Sequence, residues 1–449
     1  MKVTKLPKDP GPAAWNAILP EAEPATPVQG GLQADFLVIG AGFAGLSAAR
    51  RLSLNAPGAR IVVLDAVRVG EGPAGRNSGF MIDLPHDLAS DNYSGGLERD
   101  HAVIRANRAA IDFAVQTAEA FALPDEAVQR SGKINAAASA RGLKHNADYA
   151  GHLSALGEEH VFYDAEKMRA ITGTNYYQGG LYTPHAAIIQ PAMYVRGIAD
   201  GMRSNRVSIC ENSPVIALDR HGDGWRAETP GGFVTAGKVI LAVNGHAESF
   251  GFFKRRLAHV FTYGSMTRKL TPDEVTRLGG DPVWSATPAD PMGTTVRRLS
   301  GVGGDRIVVR NRFTYDPSMQ VDQVRIDTVA RDHDKAFQAR FPMLAGVSME
   351  YRWGGRLAIS RNDAPAFGEV APGLIAACCQ NGLGVAKGTL AGMAAADLVT
   401  DRASEVLDFM SGEASPDRLP PEPIAWLGAT AKLRWGERAA GGQAMLRRT

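Results

Sequence analysis

The stretch Asp35-Phe36-Leu37-Val38-Ile39-Gly40-Ala41-Gly42-Phe43-Ala44-Gly45 lies near the start of the chain and decides its fold. An apolar run leads directly into three glycines, and apolar residues then recur at helical spacing over 43–54. A turn at 55–59 and a second apolar strand at 60–65 follow. The order strand, glycine turn, helix and strand predicts the opening of a parallel α/β sheet.

The three glycines of this loop, Gly40, Gly42 and Gly45, are spaced as in dinucleotide-binding turns. The first allows the tight turn, the second admits a pyrophosphate against bare backbone, and the third lets the helix pack closely on the strand. Asp65 ends the second strand, 20 residues after Gly45, where a carboxylate can accept hydrogen bonds from adenosine ribose hydroxyls. An acid at that position disfavours a 2′-phosphate. The alternative is a glycine-rich turn in an ordinary α/β core.

A second glycine turn, Gln380-Asn381-Gly382-Leu383-Gly384, joins a predicted strand at 374–379 to a predicted helix at 385–399. The positive end of that helix dipole can stabilise negative charge on a reduced isoalloxazine ring. This feature favours a flavin over a nicotinamide. A plain turn from strand to helix is the alternative.

Composition and charge exclude several classes of protein. The chain has 449 residues, is 45% hydrophobic, and carries 49 basic against 47 acidic residues, for a formal charge of +2. This balance gives no electrostatic reason to expect nucleic acid or an acidic membrane surface as a partner. No apolar run approaches the roughly 18 to 20 residues that span a bilayer. The segment 1–10 lacks the apolar core of a secretory signal.

Three cysteines, Cys210, Cys378 and Cys379, are present, and their spacing fits neither a disulfide framework nor a metal site. We therefore expect buried, reduced thiols in a cytoplasmic protein without a bound metal.

Several further motifs follow the first glycine loop in the chain. They are 69–79 (Val-Gly-Glu-Gly-Pro-Ala-Gly-Arg-Asn-Ser-Gly), Gln190-Pro191, Val215, 241–245 (Leu-Ala-Val-Asn-Gly), Phe341-Pro342, 351–355 (Tyr-Arg-Trp-Gly-Gly), 365–368 (Pro-Ala-Phe-Gly) and 382–385 (Gly-Leu-Gly-Val). Taken in this order, they resemble the D-amino-acid oxidase and glycine oxidase superfamily of flavoenzymes, especially the branch similar to gamma-glutamylputrescine oxidase. The resemblance implies FAD held between two domains and a C–N bond oxidised at the flavin face. No histidine or cysteine stands at an evident attachment position in 69–79, the loop that wraps the flavin in that family, so noncovalent FAD is expected.

The chain departs from the pattern of that family at a few positions. Leu383 stands where relatives similar to gamma-glutamylputrescine oxidase have a histidine, and Ser78 follows Asn77 where they have glycine. Glycine oxidases place a carboxylate-binding arginine shortly after the tryptophan, and Arg356 is the nearest arginine after Trp353 in this chain. These differences leave the flavin fold intact and the substrate open.

The fold class that follows is α/β, with a Rossmann-like FAD-binding domain interleaved with an α+β substrate domain that carries a mostly antiparallel sheet. Prolines at positions 7, 10, 12, 20, 24 and 27 predict an extended arm, which Trp15 can pin to the body. The predicted segments are 1–33 for the arm, 34–90, 185–250 and 350–412 for the FAD-binding domain, 91–184 and 251–349 for the substrate domain, and 413–449 for a tail with a helix near 425–435.

The predicted cofactor contacts come from both glycine turns, the flavin loop and the strand ends between them. They are Gly40, Ala41, Gly42, Phe43, Ala44, Gly45, Asp65, Ala66, Gly75, Arg76, Asn77, Ser78, Gly79, Val215, Asn244, Gly245, Gly382, Leu383, Gly384 and Val385.

Five side chains are candidates for contact with substrate. Arg310 and Arg312 alternate in a predicted strand, so both are expected on one face, where two guanidiniums would bind a carboxylate. His259 and Tyr263 also share a face of a strand, and Lys387 follows the late glycine turn. The alternatives are a solvated face for the arginines, a structural histidine, and a lysine that only supports helix packing.

The expected function is FAD-dependent oxidation of an amine or amino acid: hydride passes to the flavin, the imine product is hydrolysed, and dioxygen is the acceptor. One alternative is a dehydrogenase that passes electrons to a quinone or a partner flavoprotein. Another is a non-catalytic flavin-binding subunit. The oligomeric state is not predicted.

Overall fold

A computed structural model describes residues 1–85 and 96–444 of the chain. The predicted domain boundary at residues 90 and 91, and the last five residues of the predicted tail, lie outside the described residues.

The strands of the described residues form three sheets. In chain order they are β1 (Gly30–Ile39), β2 (Ile61–Leu64), β3 (Phe80–Met81), β4 (Val128–Gln129), β5 (Lys133–Ala137), β6 (Val161–Asp164), β7 (Gly179–Thr183), β8 (Ala187–Ile189), β9 (Val207–Cys210), β10 (Ala217–His221), β11 (Gly224–Thr229), β12 (Gly232–Leu241), β13 (Ala258–Thr267), β14 (Trp284–Pro288), β15 (Thr295–Leu299), β16 (Arg306–Tyr315), β17 (Met349–Ile359), β18 (Ala366–Ala371) and β19 (Leu374–Cys378).

The α-helices connect and cover these sheets. In chain order they are α1 (Ala14–Ala17), α2 (Phe43–Asn55), α3 (Leu97–Ala120), α4 (Ala140–Leu156), α5 (Ala165–Thr172), α6 (Pro191–Met202), α7 (Pro272–Leu278), α8 (Gln323–Arg340), α9 (Gly384–Val399), α10 (Glu405–Ser411) and α11 (Ile424–Ala439).

The first sheet is built around five parallel strands in the order β19-β12-β1-β2-β9. The hairpin β10-β11 extends it antiparallel from β12, and β18 pairs antiparallel with β19. The predicted strand, helix and strand at its start are observed as β1, α2 and β2. Strand β1 begins five residues earlier than predicted, because it pairs with β12 along its whole length from Gly30 to Ile39.

Helices α2 and α9 pack together on one face of the first sheet and share a core with it. Their backbones touch: a Cβ built on Gly392 of α9 would lie 2.1 Å from the carbonyl oxygen of Ala44 in α2. Only glycine permits this approach. The N-termini of the two helices are thereby held side by side.

The second sheet has the strand order β17-β13-β16-β15-β14-β5-β7-β6, and its pairs are antiparallel apart from β14 with β5. Helix α8 covers one face, where Ile326 and Val329 pack against strand β13. The opposite face meets the first sheet's loops: Trp353 Nε1 donates to the Arg76 oxygen (2.9 Å) and Arg297 Nη1 to the Ser78 oxygen (2.8 Å). We call this opposite face the inner face.

The parallel first sheet and the mostly antiparallel second sheet confirm the predicted fold class. Strand β17 belongs to the second sheet, although residues 350–412 were assigned to the FAD-binding domain. The division into domains stays a prediction.

The prediction of a wholly extended N-terminal arm is wrong at residues 14–17, which form the single-turn helix α1. Residues 13–19 contain no proline, so a helical turn can form there. Trp15 is completely buried. Its indole Nε1 donates to the Asn77 oxygen at 2.8 Å, so the tryptophan does pin the arm to the body. Burial of this ring stabilises a turn that the proline pattern alone did not reveal.

The contact between α2 and α9 leads to a stability prediction. Gly392→Ala should destabilise the fold by about 1 to 3 kcal/mol, because the added methyl group overpacks the helix contact. Gly151→Ala is the matched control, since the same change in α4 meets nothing within 4 Å. We expect it to stabilise the fold by about 0.5 to 1 kcal/mol. Urea unfolding measures the free energy of unfolding of both variants. Equal changes in the two variants would show that α2 and α9 are not in close contact at Gly392.

Candidate functional site

An open cleft lies where the carboxyl ends of the parallel strands meet the edge of the second sheet at β17. Twelve of the twenty predicted cofactor contacts line it: Gly40, Ala41, Gly42, Phe43, Ala44, Asp65, Ala66, Asn77, Val215, Asn244, Gly382 and Gly384. Both glycine turns therefore open onto one space, as the sequence suggested for a single dinucleotide.

The first glycine loop has the geometry that its spacing predicts. Gly40 has φ +105°, and a Cβ there would lie 2.5 Å from the Ala242 oxygen. A Cβ on Gly45 would lie 1.7 Å from the Gly40 oxygen, so the loop closes tightly on its own helix. Gly42 differs, because its nearest neighbour would be the Ala74 Cβ at 3.6 Å. Its bare backbone faces the cleft.

The late turn is held in shape by two asparagine side chains. Cys379, Asn381 and Gly382 all have positive φ (+57°, +51° and +81°). The Asn381 carboxamide accepts from the Ser360 N–H at 2.8 Å, and the Asn244 carboxamide accepts from the Cys379 N–H at 3.1 Å. These bonds tie the turn to β17 and to the end of β12, and they offset the local strain.

The N-termini of α2 and α9 both reach the cleft, and no side chain caps either of them at Gly42 or Leu383. Uncapped helix N-termini present free N–H groups and a positive dipole end. An anionic pyrophosphate suits the first and an electron-rich flavin edge suits the second. The residues present therefore fit a bound flavin dinucleotide.

Asp65 lies at the end of β2, where its carboxylate accepts hydrogen bonds from the N–H groups of Ala41 (2.7 Å) and Val67 (3.0 Å). Burial nevertheless raises the pKa of Asp65 to about 6. The carboxylate thus braces the glycine loop and also lines the cleft.

The other eight predicted cofactor contacts do not line this cleft. Arg76 donates from Nε to the Glu71 oxygen (2.7 Å), and Ser78 accepts from Arg297. Leu383 packs against Phe80 and Ile188. The eight residues are Gly45, Gly75, Arg76, Ser78, Gly79, Gly245, Leu383 and Val385.

Arg310 and Arg312 do not share a face, and this prediction is wrong. Strand β16 bulges where it pairs with β13: Thr262 lies opposite Phe313 and Tyr263 opposite Asn311, so Arg312 is the extra residue of the bulge. Arg312 has φ +64°. Its guanidinium pairs with the buried Glu437 at 2.6 Å and with Asp332 at 3.4 Å.

Arg310 instead lies on the inner face. It is two residues from Val308, which pairs directly with Arg297, so the three side chains share that face. The Arg310 guanidinium lies over the Phe313 ring, 4.6 Å from its centroid. Within the described residues no carboxylate approaches it closely enough to form an ion pair, and burial lowers the pKa of Arg310 to about 10.

The remaining candidates lie away from the cleft lining. His259 Nε2 is 2.7 Å from the Glu248 carboxylate, behind Gly245. Tyr263 points to the face covered by α8, where its hydroxyl bonds to Thr314 at 2.7 Å, and burial raises its pKa to about 12. Lys387 pairs with the exposed Asp363 at 3.0 Å.

The sequence did not single out three features of this site. Residues of the N-terminal arm line the cleft, and so does His246, whose pKa burial lowers to about 3. On the inner face, Thr262 and Lys133 are buried polar groups whose Oγ1 and Nζ have no hydrogen-bond partner among the described residues. The sequence could have indicated that Lys133 lies on the face opposite Ile134, because the two residues alternate in a strand. It gives no comparable indication of where the arm lies.

Other types of site are absent from the described part of the chain. Residues 1–85 and 96–444 contain no group of histidine, cysteine or acidic side chains placed to hold a metal ion. The helices within these ranges are too short or too polar to cross a membrane.

Comparison with known proteins identifies the family to which this chain is similar. Residues 35–398 match the family model described as DAO, FAD dependent oxidoreductase. The chain is 26% identical over 375 residues to the probable oxidoreductase OrdL of Haemophilus influenzae, covering 82% of this chain and 83% of that protein. It is 25% identical over 370 residues to gamma-glutamylputrescine oxidoreductase of Escherichia coli, covering 81% and 83%.

Among solved structures, glycine oxidase from Geobacillus kaustophilus has a TM-score of 0.68 at 17% identity, covering 87% of this chain and 100% of that one. This likeness shows the fold. Together the comparisons confirm the resemblance predicted from the motifs.

The raised pKa of Asp65 predicts a pH dependence of FAD binding. The ionised carboxylate accepts hydrogen bonds from ribose hydroxyls better than the acid does, so affinity should be full above pH 6. As the pH falls below about 6, Asp65 of the FAD-free protein becomes protonated, and FAD binding must then release this proton. The Kd for FAD should therefore rise by up to about tenfold per pH unit. Fluorescence titration of FAD-stripped protein between pH 5 and 8 measures this, with Asp65→Asn as the variant that should lose the slope. A flat profile in the unsubstituted protein would contradict the assignment.

Proposed function

Because the chain belongs to the DAO family of FAD-dependent oxidoreductases, we propose that it oxidises the C–N bond of a small amine or amino acid that carries an acidic group. FAD is the cofactor of this family. Noncovalent attachment and dioxygen as the electron acceptor are parts of the proposal.

One observation carries the proposal: two uncapped helix N-termini, from α2 and α9, open onto the same cleft. Asp65 and Val215 line this cleft together with Asn77, Gly382 and Gly384, and Asp65 is bonded to Ala41 of the first glycine loop. We assign the adenosine to Asp65, the pyrophosphate to Gly42 and the isoalloxazine ring to the late turn.

When bound, FAD supplies the hydride acceptor for the reaction. The chain's own residues position the loop that holds it. Arg297 donates to the backbone oxygens of Ser78 and Ile189, both at 2.8 Å, and Trp353 donates to the Arg76 oxygen. These bonds fix the flavin loop against the inner face, so the substrate would lie beside these contacts, on the part of the inner face that carries Arg310.

Arg310 is the residue proposed to anchor the substrate. Its side chain is half-buried, its guanidinium lies over the Phe313 ring, and it has no carboxylate partner among the described residues. Thr262, opposite Phe313 on the same face, has a buried hydroxyl free to bond. A substrate carboxylate would satisfy both groups, because guanidinium and hydroxyl donors together match its oxygens. The amine end would then point toward the flavin loop.

Two of the named relatives support this class of reaction. One is called gamma-glutamylputrescine oxidoreductase and another glycine oxidase, and both names refer to compounds with an amine. We carry only the amine over to this chain. The proposed preference for an acidic group rests on Arg310.

An anaerobic screen tests the proposal. The purified flavoprotein is mixed with a panel of amines and amino acids, and the flavin absorbance is followed. Bleaching by an acidic amine, with recovery and peroxide release in air, is the expected result. Bleaching with slow recovery in air would support the dehydrogenase alternative. A bound flavin that no compound reduces would contradict the proposal and favour the non-catalytic subunit.

Arg310→Ala should weaken binding of the acidic amine found in that screen by about 1.5 to 3 kcal/mol, the scale of a hydrogen bond to a charged group. The dependence of the bleaching rate on substrate concentration gives the apparent Kd. A matched amine that lacks the carboxylate is the first control, and its Kd should not change. Arg312→Lys is the second, because Arg312 pairs with Glu437 away from the inner face. Equal losses for Arg310→Ala and Arg312→Lys would remove Arg310 from the site.

A cytoplasmic location also stays a prediction. Its support is that Cys210, Cys378 and Cys379 are buried and free of disulfides.

A further inference from the structure

We propose that residues 3–9 form a strap over the cofactor cleft, and that release of this strap sets the rate at which FAD enters and leaves. The inference rests on the proposed noncovalent FAD. It concerns residues that precede the family match, which begins at residue 35.

The strap is part of the wall of the cleft. Five of its seven residues line the same space as both glycine turns: Val3, Lys5, Leu6, Pro7 and Asp9. A dinucleotide that reaches from Asp65 to Gly384 would therefore lie beneath this segment.

Hydrogen bonds to backbone oxygens anchor the strap at both ends. At the first end, Lys2 forms an antiparallel bridge with Ala217, and the Thr4 N–H donates to the Ser249 oxygen at 3.0 Å. At the second end, the Pro10 oxygen accepts from Arg76 Nη1 at 2.9 Å. Within the described residues, no backbone hydrogen bond holds residues 5–9 between these anchors. The middle of the strap can therefore lift once an end is released.

Two side-chain contacts hold the middle of the strap: Lys5 Nζ donates to the Ser318 oxygen at 3.2 Å, and Asp9 pairs with Arg356. The Asp9 carboxylate lies 3.6 Å from the Arg356 guanidinium, and both side chains are almost fully buried, at 6% and 5% exposed. Both residues line the cleft. Loss of one member of a buried ion pair leaves the other as an uncompensated charge, so this contact opposes lifting of the strap.

Two prolines stiffen the strap, and a closely packed glycine follows its end. Pro7 and Pro10 restrict the backbone of the segment, so it cannot easily fold out of the way piece by piece. Gly11 follows with φ +72°, and a Cβ there would lie 2.4 Å from the Arg352 oxygen. The arm beyond it is fixed by the buried Trp15. Exchange of FAD would therefore require the anchor at Lys2 and the Asp9 contact to break while the Trp15 anchor holds.

A reversible cross-link at the first anchor tests the strap. Facing residues in an antiparallel bridge have Cα atoms about 4.5 to 5.5 Å apart, within the range for a disulfide. The double variant Lys2→Cys/Ala217→Cys should therefore form a disulfide in the FAD-loaded protein, and the native cysteines are buried. FAD released after dilution is measured by its fluorescence, in the oxidised protein and after reduction with dithiothreitol. We expect release to slow by roughly tenfold or more when the disulfide is closed. Lys2→Cys alone is the control.

Asp9→Asn tests the middle contact in the opposite direction. It should speed FAD release by roughly tenfold, because Arg356 loses its charged partner. Glu21→Gln removes the same charge from an exposed position of the arm outside the cleft, and it should leave the rate unchanged.

The outcomes separate the strap from the proposed function. Absence of FAD from the unsubstituted protein would overturn the noncovalent cofactor site itself. If FAD is bound but leaves at equal rates with the disulfide open and closed, the strap is refuted and the cofactor site stands. Failure of the two cysteines to pair would also refute the strap, since it would place Lys2 away from Ala217. A change in release with the disulfide state supports it even if Asp9→Asn fails to fold.

Discussion

The fold depends on one steric constraint, the backbone contact between α2 and α9. Gly392 has no side chain where a Cβ would overlap the Ala44 oxygen, and a Cβ on Gly388 would make a tight contact of 3.2 Å with the Phe43 Cβ. These helices begin far apart in the sequence, yet the contact holds their uncapped N-termini side by side at one cleft. A bulkier residue at either glycine would separate the two positive helix ends. The first glycine loop would still form a phosphate-binding turn, but the two glycine turns would no longer line the same cleft.

The features predicted correctly are those that neighbouring residues determine. A strand that runs into Gly40, Gly42 and Gly45 and then into a helix is specified within a short window, and the late turn at Asn381 and Gly382 is equally local. The prediction for Arg312 failed because alternation assumes an unbroken pairing register. The bulge in β16 depends on how Thr262 and Tyr263 of β13 meet it. Nothing in the sequence of β16 alone marks that irregularity.

The N-terminal arm shows the same limit over a longer distance. Its prolines exclude a long helix and a central strand, which agrees with the structure as far as Pro27, although the central strand β1 already begins at Gly30. Its path over the cleft is fixed by Asp9 with Arg356 and by Trp15 with Asn77, pairs that lie far apart in the sequence. Trp15 also stabilises the single turn of α1, which propensity would not favour in so short a segment. Such pairs cannot be predicted from the sequence alone, because only the assembled sheets bring the two residues together.

The partners of the arginines near the cleft divide structural from ligand-binding roles. Arg297 donates to two backbone oxygens, Arg312 pairs with Glu437, and Arg356 pairs with Asp9. Arg312 and Arg356 are each compensated by a carboxylate, and Arg297 by the two carbonyl oxygens that accept its hydrogen bonds. Arg310 differs from them, because its guanidinium lies over the Phe313 ring and has no carboxylate partner among the described residues. A half-buried cation without a counter-charge costs free energy in the ligand-free protein, and a bound carboxylate would offset that cost. The same chain thus uses compensated arginines to hold its loops and leaves one uncompensated on the face where the substrate would lie.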